Sequence, residues 1–324
     1  MAFVPLPTMK STPYYRTEHG EAYLGDSLHL MVELPDKSIN LIVTSPPFAL
    51  TRKKEYGNKN ADEYVDWFLE FARQFRRILT DDGSLVVDLG GAYLPGTPVR
   101  AVYQFELLVR LCKELGFFLA QEFYHYNPSR LPAPAEWVNV RRIRVKDSVN
   151  VVWWLSVSEW PKADNRKVLK PYSESMRQLL ENGYKAKKRP SGWDISDKFS
   201  KDNAGAIPPN LLSLANTESN SAYLRRCNEA GIKSHPARFP IDFARFFIDF
   251  LTDEGDVVLD PFAGSNTTGQ AAEMAKRRWL AFEIDETYLQ GSLYRFQGVN
   301  DIFPLRINNV PAIAEAPSAK GSVG

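Results

Sequence analysis

Cysteine is scarce in this chain. Two occur in 324 residues, Cys112 and Cys227, and neither sits in a metal-ligand or redox spacing, so no metal is expected and a reducing compartment is. Cys112 falls in an apolar helical pattern, where a thiol is structural. Long apolar runs are missing as well: none approaches the ~18 residues of a membrane span, and the first twenty residues lack the continuous apolar core of a secretory leader. No membrane partner and a cytoplasmic location are therefore expected. The third absence is an excess of one charge. Forty Lys and Arg against 39 Asp and Glu leave a net +1, so affinity for a polyanion has to come from local clustering. What is present is the make-up of a globular protein, 44% hydrophobic and 24% charged, long enough for one large α/β domain with an insertion or for two domains.

Hydrophobic periodicity organises the chain. Residues 1–24 read as an N-terminal arm, irregular over 1–20. Asp26 or Ser27 is placed to cap a short helix, and Leu41-Ile42-Val43 is too short an apolar run for a helix but suits a strand buried on both faces of a parallel sheet. Thr51 to Asn60 is polar and basic, a loop whose Arg52, Lys53 and Lys54 could meet phosphates or water. Tyr64, Trp67, Phe68, Phe71, Phe75 and Ile78 recur at helical spacing, so 62–79 is a helix whose aromatic stripe is core. Asp81-Asp82-Gly83 ends it, 84–89 is a strand, 99–115 a helix stopping at Gly116, and 117–124 a strand. Val138–Val145 and Val149–Leu155 pair as a hairpin at an antiparallel edge. This is α/β: a doubly wound, mostly parallel sheet.

From about Trp160 the composition shifts. Residues 160–201 carry a surplus of six positive charges with Tyr172, Tyr184 and Trp193 interleaved, and periodicity stays weak to 234. A basic, irregular insert of this kind fits nucleic-acid contact, although a charge run also fits a solvated face. A helix over 241–251, a strand at 257–260, a glycine-containing loop, a helix from Thr267 to Arg278 and a strand at 279–283 follow. The tail after about 305, rich in Ala, Pro and Ser, is expected to be disordered.

Two stretches carry chemistry. Thr44-Ser45-Pro46-Pro47-Phe48 ends the first buried strand. The prolines donate no N–H and stiffen the turn, so bare carbonyls and one hydroxyl face outward where ligands bind open α/β sheets. Such a turn can grip the hydrogens of a planar exocyclic amine with Ser45 Oγ and the Pro46 carbonyl while Phe48 stacks on the ring; a plain strand-to-loop turn reads equally well. The second stretch pairs Asp260 with Glu283, an acid ending the second strand of a β-loop-α-β unit and placed to accept ribose hydroxyls. The loop between them lacks the G-x-G turn of a dinucleotide site and the lysine of a phosphate loop. A nucleoside-type cofactor such as S-adenosylmethionine fits those absences, with Asp260 near its ammonium group.

Together, Thr44 to Phe48, Asp260-Pro-Phe-Ala-Gly-Ser-Asn-Thr-Thr268, Phe282-Glu-Ile-Asp285, His235 to Pro240 and Gly25-Asp26 resemble the amino-methylating DNA methyltransferases of restriction–modification systems. The order is that of their permuted β arrangement, and the likeness covers roughly residues 20–299. It implies Ser45, Pro46, Pro47 and Phe48 as the catalytic motif, and Pro261, Phe262, Ala263, Gly264, Ser265, Asn266 and Thr267 as the cofactor loop. Asp260 and Glu283 would meet the methionine and ribose, Asp26 the adenine, and His235 and Pro236 would close over the methionine end. Serine before the prolines implies, in that family, methylation of cytosine N4, and the closeness of the whole resemblance implies a flipped cytosine of duplex DNA within CAGCTG, protected against a cognate endonuclease. C5 chemistry needs a cysteine nucleophile, usually after proline; Leu111 and Arg226 precede the cysteines here. The expected division is 25–159 catalytic half, 160–234 target recognition, 235–304 cofactor half and 305–324 tail, in a monomer. Arg141, Arg142, Lys187, Lys188, Arg189, Ser191 and Trp193 are the candidate DNA contacts beside the 52–54 loop. Adenine N6 methylation, methylation of a protein glutamine amide and a catalytically silent DNA-binding protein are the alternatives.

Overall fold

A computed structural model describes residues 5–49, 61–183, 201–216 and 221–296. Its strands are β1 (Tyr15–Arg16), β2 (Gly20–Leu24), β3 (Ile39–Thr44), β4 (Leu79–Leu89), β5 (Phe118–Tyr126), β6 (Val149–Ser156), β7 (Leu211–Ser213), β8 (Val257–Asp260) and β9 (Arg278–Glu283). They form one nine-stranded sheet in the order β1-β2-β9-β8-β3-β4-β6-β5-β7. The run from β2 to β4 is parallel, whereas β6 lies antiparallel to both β4 and β5. The mostly parallel, doubly wound sheet with an antiparallel side is thus as the sequence predicts.

Eight helices flank it among the described residues: α1 (Ser27–Val32), α2 (Ala61–Ile78), α3 (Tyr103–Lys113), α4 (Glu174–Asn182), α5 (Ala222–Glu229), α6 (Ile241–Leu251), α7 (Thr267–Met274) and α8 (Glu286–Ser292). One face packs Leu30, Phe68, Phe75 and Leu107 from α1, α2 and α3; the other packs Phe243, Phe247, Ala271 and Leu289 from α6, α7 and α8. β3 lies between them, Ile42 in the first core and Leu41 and Val43 in the second. That double burial is why its sequence is continuously apolar rather than alternating.

Six expectations are corrected. The arm is not irregular to residue 20: Tyr15 and Arg16 pair as β1 with β2, which pairs in register with β9 from Gly20 onward, and Tyr15 is buried. The hairpin partner of β6 is β5, not 138–145. Both edges of β6 are taken by β4 and β5, so the apolar residues of 138–145 have no ladder to join. Glu136–Val140 instead winds into a π-helical turn, with Val140 and Val145 exposed. Asp81-Asp82-Gly83 does not separate helix from strand. α2 runs straight into β4, and the triplet is accommodated where the register slips between Ile39↔Leu79 and Leu41↔Ser84. The insert is also more regular than its periodicity suggests, since α4, α5 and β7 all fall within it. The helix expected over 99–115 begins at Tyr103, and the one expected to reach Arg278 ends at Met274, with Lys276 in the left-handed region at φ 55°.

Candidate active site

A cavity of about 450 Å³ opens at the carboxyl ends of the parallel strands. It is where the two chemistry-bearing stretches meet. Ser45, Pro46, Pro47 and Phe48 line it as they leave β3; Pro261, Phe262, Ala263, Gly264, Ser265 and Thr267 line it between β8 and α7; Glu283 closes β9, and Asp26, His235 and Pro236 complete the wall. Of the residues expected to hold the cofactor, Asp260 and Asn266 stand behind this surface. Asp260 is buried and spends its carboxylate inside the fold: Thr44 Oγ1 donates at 2.8 Å, Thr268 Oγ1 at 2.6 Å and Phe262 N at 3.1 Å. Burial pushes its pKa up to about 6 despite those donors. Asn266 takes a left-handed conformation (φ 57°), caps α7 by accepting from Gly269 N at 3.0 Å, and donates to Tyr15 Oη at 2.8 Å. Both residues therefore shape the loop from beneath.

The cofactor side is built for a polar, hydroxyl-bearing group. Glu283 accepts Gly264 N at 2.6 Å on one oxygen and Asp285 N at 2.9 Å on the other. Each oxygen keeps a further lone pair, and burial raises the carboxyl above its ordinary range. Gly264 sits at φ 52°, and a Cβ there would come within 3.2 Å of the His235 ring. Any side chain would thus meet both backbone strain and a blocked approach. His235 is fixed from the other side, edge-on to Tyr288 at 4.6 Å, with Nδ1 2.5 Å from the Ala237 carbonyl. Asp26 caps α1 through Leu28 N at 2.7 Å, and Ser27 Oγ bonds the Pro261 carbonyl, which ties the α1 entry to the loop.

Trp67 and Phe71 qualify the reading of the α2 stripe as core alone. Both line the cavity and pack on Phe262, with ring centroids at 5.8 and 4.9 Å. Helical spacing tells which side of α2 faces the sheet, but not where the sheet stops beneath it. Asp88, His125, Asn127, Arg130 and Asn150 also line the cavity and were not singled out. Asp88 could have been found by the rule applied to Glu283, as an acid near the end of a buried strand. His125 could not, because its place depends on β6 pairing with β5.

The candidate DNA contacts divide differently. Arg141 and Arg142 are exposed beside the π-helical turn and off the cavity wall; Arg141 pairs with Glu136 at 2.7 Å and lies over Trp137 at 5.1 Å. Arg52, Lys53, Lys54, Lys187, Lys188, Arg189, Ser191 and Trp193 lie outside the described residues, as does the tail. Neither cysteine is activated: burial raises the thiol pKa of both. No described helix is long and apolar enough to cross a membrane.

Residues 39–294 match a family described as DNA methylase, of the N6/N4 type. The chain is 56% identical over 287 residues to the type II methyltransferase M.PvuII of Proteus hauseri, covering 88% of this chain and 85% of that one. The solved PvuII DNA methyltransferase, described as cytosine-N4-specific, superposes with a TM-score of 0.74 at 48% identity, over 91% of this chain and 92% of that one. M1.HpyAVI, solved with S-adenosylmethionine, shares the fold at 19% identity and a TM-score of 0.53, over 86% and 99% of the two chains.

Proposed function

The chain belongs to the N6/N4 DNA methylase family, and from that premise we propose that it moves a methyl group from S-adenosylmethionine to the N4 of a cytosine flipped out of duplex DNA, with CAGCTG as the site. The observation that carries this reading is that the Ser45–Phe48 turn and the Gly264–Glu283 shelf open into one cavity. S-adenosylmethionine supplies an electrophilic methyl group on a sulfonium. Glu283 would hold the ribose hydroxyls, Asp26 the adenine, and His235 with Pro236 the methionine end. Ser45 Oγ and the Pro46 carbonyl accept the two amine hydrogens, which draws N4 out of conjugation with the ring. Phe48 stacks on the base. The target has to leave the helix, because a buried turn cannot reach N4 inside the stack. Holding the reactants in line accounts for the acceleration, since effective molarities reach ~10⁵ M or more.

Arg141, Arg142, the 52–54 loop and the basic stretch through Lys187, Lys188, Arg189, Ser191 and Trp193 would grip DNA, with recognition assigned to 160–234. The protein would act as a cytosolic monomer that shields its site from a cognate endonuclease. Incubation with labelled S-adenosylmethionine and CAGCTG duplex, followed by digestion to nucleosides, tests the reading. N4-methylcytosine is the expected product. N6-methyladenine overturns the choice of base, and absence of label from DNA overturns the reaction.

A further inference from the structure

One pair on the cavity wall is not used by the reaction as described. Asp88, near the end of β4, and His125, near the end of β5, project to the same side of the sheet across β6, where Asp88 pairs with Val152 and His125 with Asn150. They are 2% and 7% exposed, and both line the cavity. His125 Nδ1 lies 3.6 Å from Asp88 Oδ2, too far for a hydrogen bond. Among the described residues neither imidazole nitrogen has a hydrogen-bond partner, and nor does Asp88 Oδ1. The polar groups around them are engaged: Asn150 accepts from Arg130 at 2.9 Å, Asn127 from Ser129 N at 3.0 Å, and the Asn216 amide donates to the Arg238 carbonyl at 2.9 Å. A buried, unsatisfied pair in a binding cavity is a group waiting for a ligand atom.

The register says which atom. Thr44 of β3 pairs with Val87, so Asp88 stands level with Ser45, and His125 lies two strands further from the amine grip. The amine edge of a cytosine runs N4, N3, O2: one donor followed by two acceptors. A base held by N4 at Ser45 and Pro46 and laid across the sheet toward β5 would turn those acceptors to the pair. An adenine offers N6 and N1 in the same places and then only C2–H.

We propose that His125, beside Asp88, donates a hydrogen bond to the O2 acceptor of the flipped base, and so selects cytosine over adenine at this site. A neutral imidazole donates from one ring nitrogen and accepts at the other, and the role requires the N–H on the nitrogen that faces the base. The selection rests on the amine-methylating reaction proposed above. It places the discrimination at the far edge of the base rather than at Ser45, which grips either amine alike.

The test is a cycle of two enzymes and two substrates. Duplexes carrying cytosine or 2-thiocytosine at the target, the latter a weaker acceptor at position 2, are methylated by the wild type and by His125→Ala, and kcat/KM is compared. Thermal stability and S-adenosylmethionine binding are measured on both proteins to show an intact fold. The wild type should lose roughly tenfold on the thio substrate, and the variant roughly tenfold on cytosine but nothing further on 2-thiocytosine. The ratio of cytosine to adenine turnover at the target position should fall in the variant by a similar factor, and His125→Gln, which retains a donor, should recover part of it. Additive losses, or an unchanged cytosine-to-adenine ratio, overturn the role of His125 while leaving the reaction intact. A wild type that methylates neither base overturns both.

Discussion

Gly90, two residues beyond Asp88, leaves little room beside Phe48. A Cβ on Gly90 would sit 2.4 Å from Phe48 Cε2 and 2.5 Å from Cδ2, whereas carbon atoms rest at about 3.5–4.0 Å. Something has to yield by about 1 Å. The backbone is held, because Tyr103 Oη bonds the Gly90 carbonyl and Gln104 Nε2 donates to the Leu89 carbonyl at 2.7 Å. The Phe48 ring, the surface proposed to stack on the target base, is what moves. A displacement of that size at a reacting centre costs on the order of 10²-fold, so Gly90→Ala should lower kcat by roughly ten- to a hundredfold. S-adenosylmethionine affinity should stay within about twofold, because the Glu283 side of the cavity is untouched. Single-turnover methyl transfer at saturating DNA, calorimetric titration of the cofactor and a melting curve separate these effects. Gly91→Ala is the control: its Cβ would meet the Arg100 guanidinium, the far end of a flexible side chain paired with Asp147 at 2.8 Å and away from Phe48, and activity should hold. A Gly90→Ala enzyme with wild-type kcat would refute the idea that Phe48 positions the base.

Asp260 gives a prediction about pH. Its folded pKa of about 6 lies above the ordinary 3.8, so the folded state holds the proton more tightly than the unfolded chain. The contribution is complete below about pH 4, is lost as the pH rises through about 6, and amounts to about 3 kcal/mol. Asp260→Asn should flatten stability against pH across that window, and melting curves parallel to the wild type from pH 4 to 7 would contradict it. Glu283→Ala removes the acceptor of Gly264 N and Asp285 N and should weaken S-adenosylmethionine binding at least tenfold, read by calorimetry; an unchanged Kd would remove Glu283 from the ribose site. Affinity for duplex DNA should drop on the order of 10³-fold between 50 and 200 mM salt if six or more phosphates are neutralised, and a flat response in a filter-binding titration would argue against the basic contacts.

The parts of the fold legible from sequence were those fixed by local pattern. β3, β8 and β9 announce themselves as short apolar runs bounded by turns, α2 and α6 by helical spacing, and α1 by the Asp26 cap. The proposed catalytic turn and cofactor loop were legible for the same reason, since each is one continuous stretch. What could not be read was pairing at a distance. β2 looks like an arm until β9 is set beside it, and the alternation in 138–145 imitates a strand because nothing local reveals that both edges of β6 are filled. The surroundings of Asp260 were hidden for a related reason. An acid at a strand end implies a ligand, but Thr44, Thr268 and Phe262 N, which come to it only in the folded chain, claim its oxygens first. His125 lay beyond sequence reasoning because its neighbour, Asp88, is two strands away.

The short strand β7 constrains anyone who would re-engineer the specificity of this chain. Leu211–Ser213 hydrogen-bonds in register with Tyr124–Tyr126, and the Asn210 amide donates to the Glu122 carbonyl at 2.9 Å. The basic insert is therefore not a detachable cassette on two hinges: part of it is woven into the sheet that carries His125. A graft of another protein's recognition segment at 160 and 234 would replace that seam, and with it the support of the β5 end. Exchanging only residues upstream of Asn210, with β7 left in place, is the splice point that keeps the catalytic sheet whole.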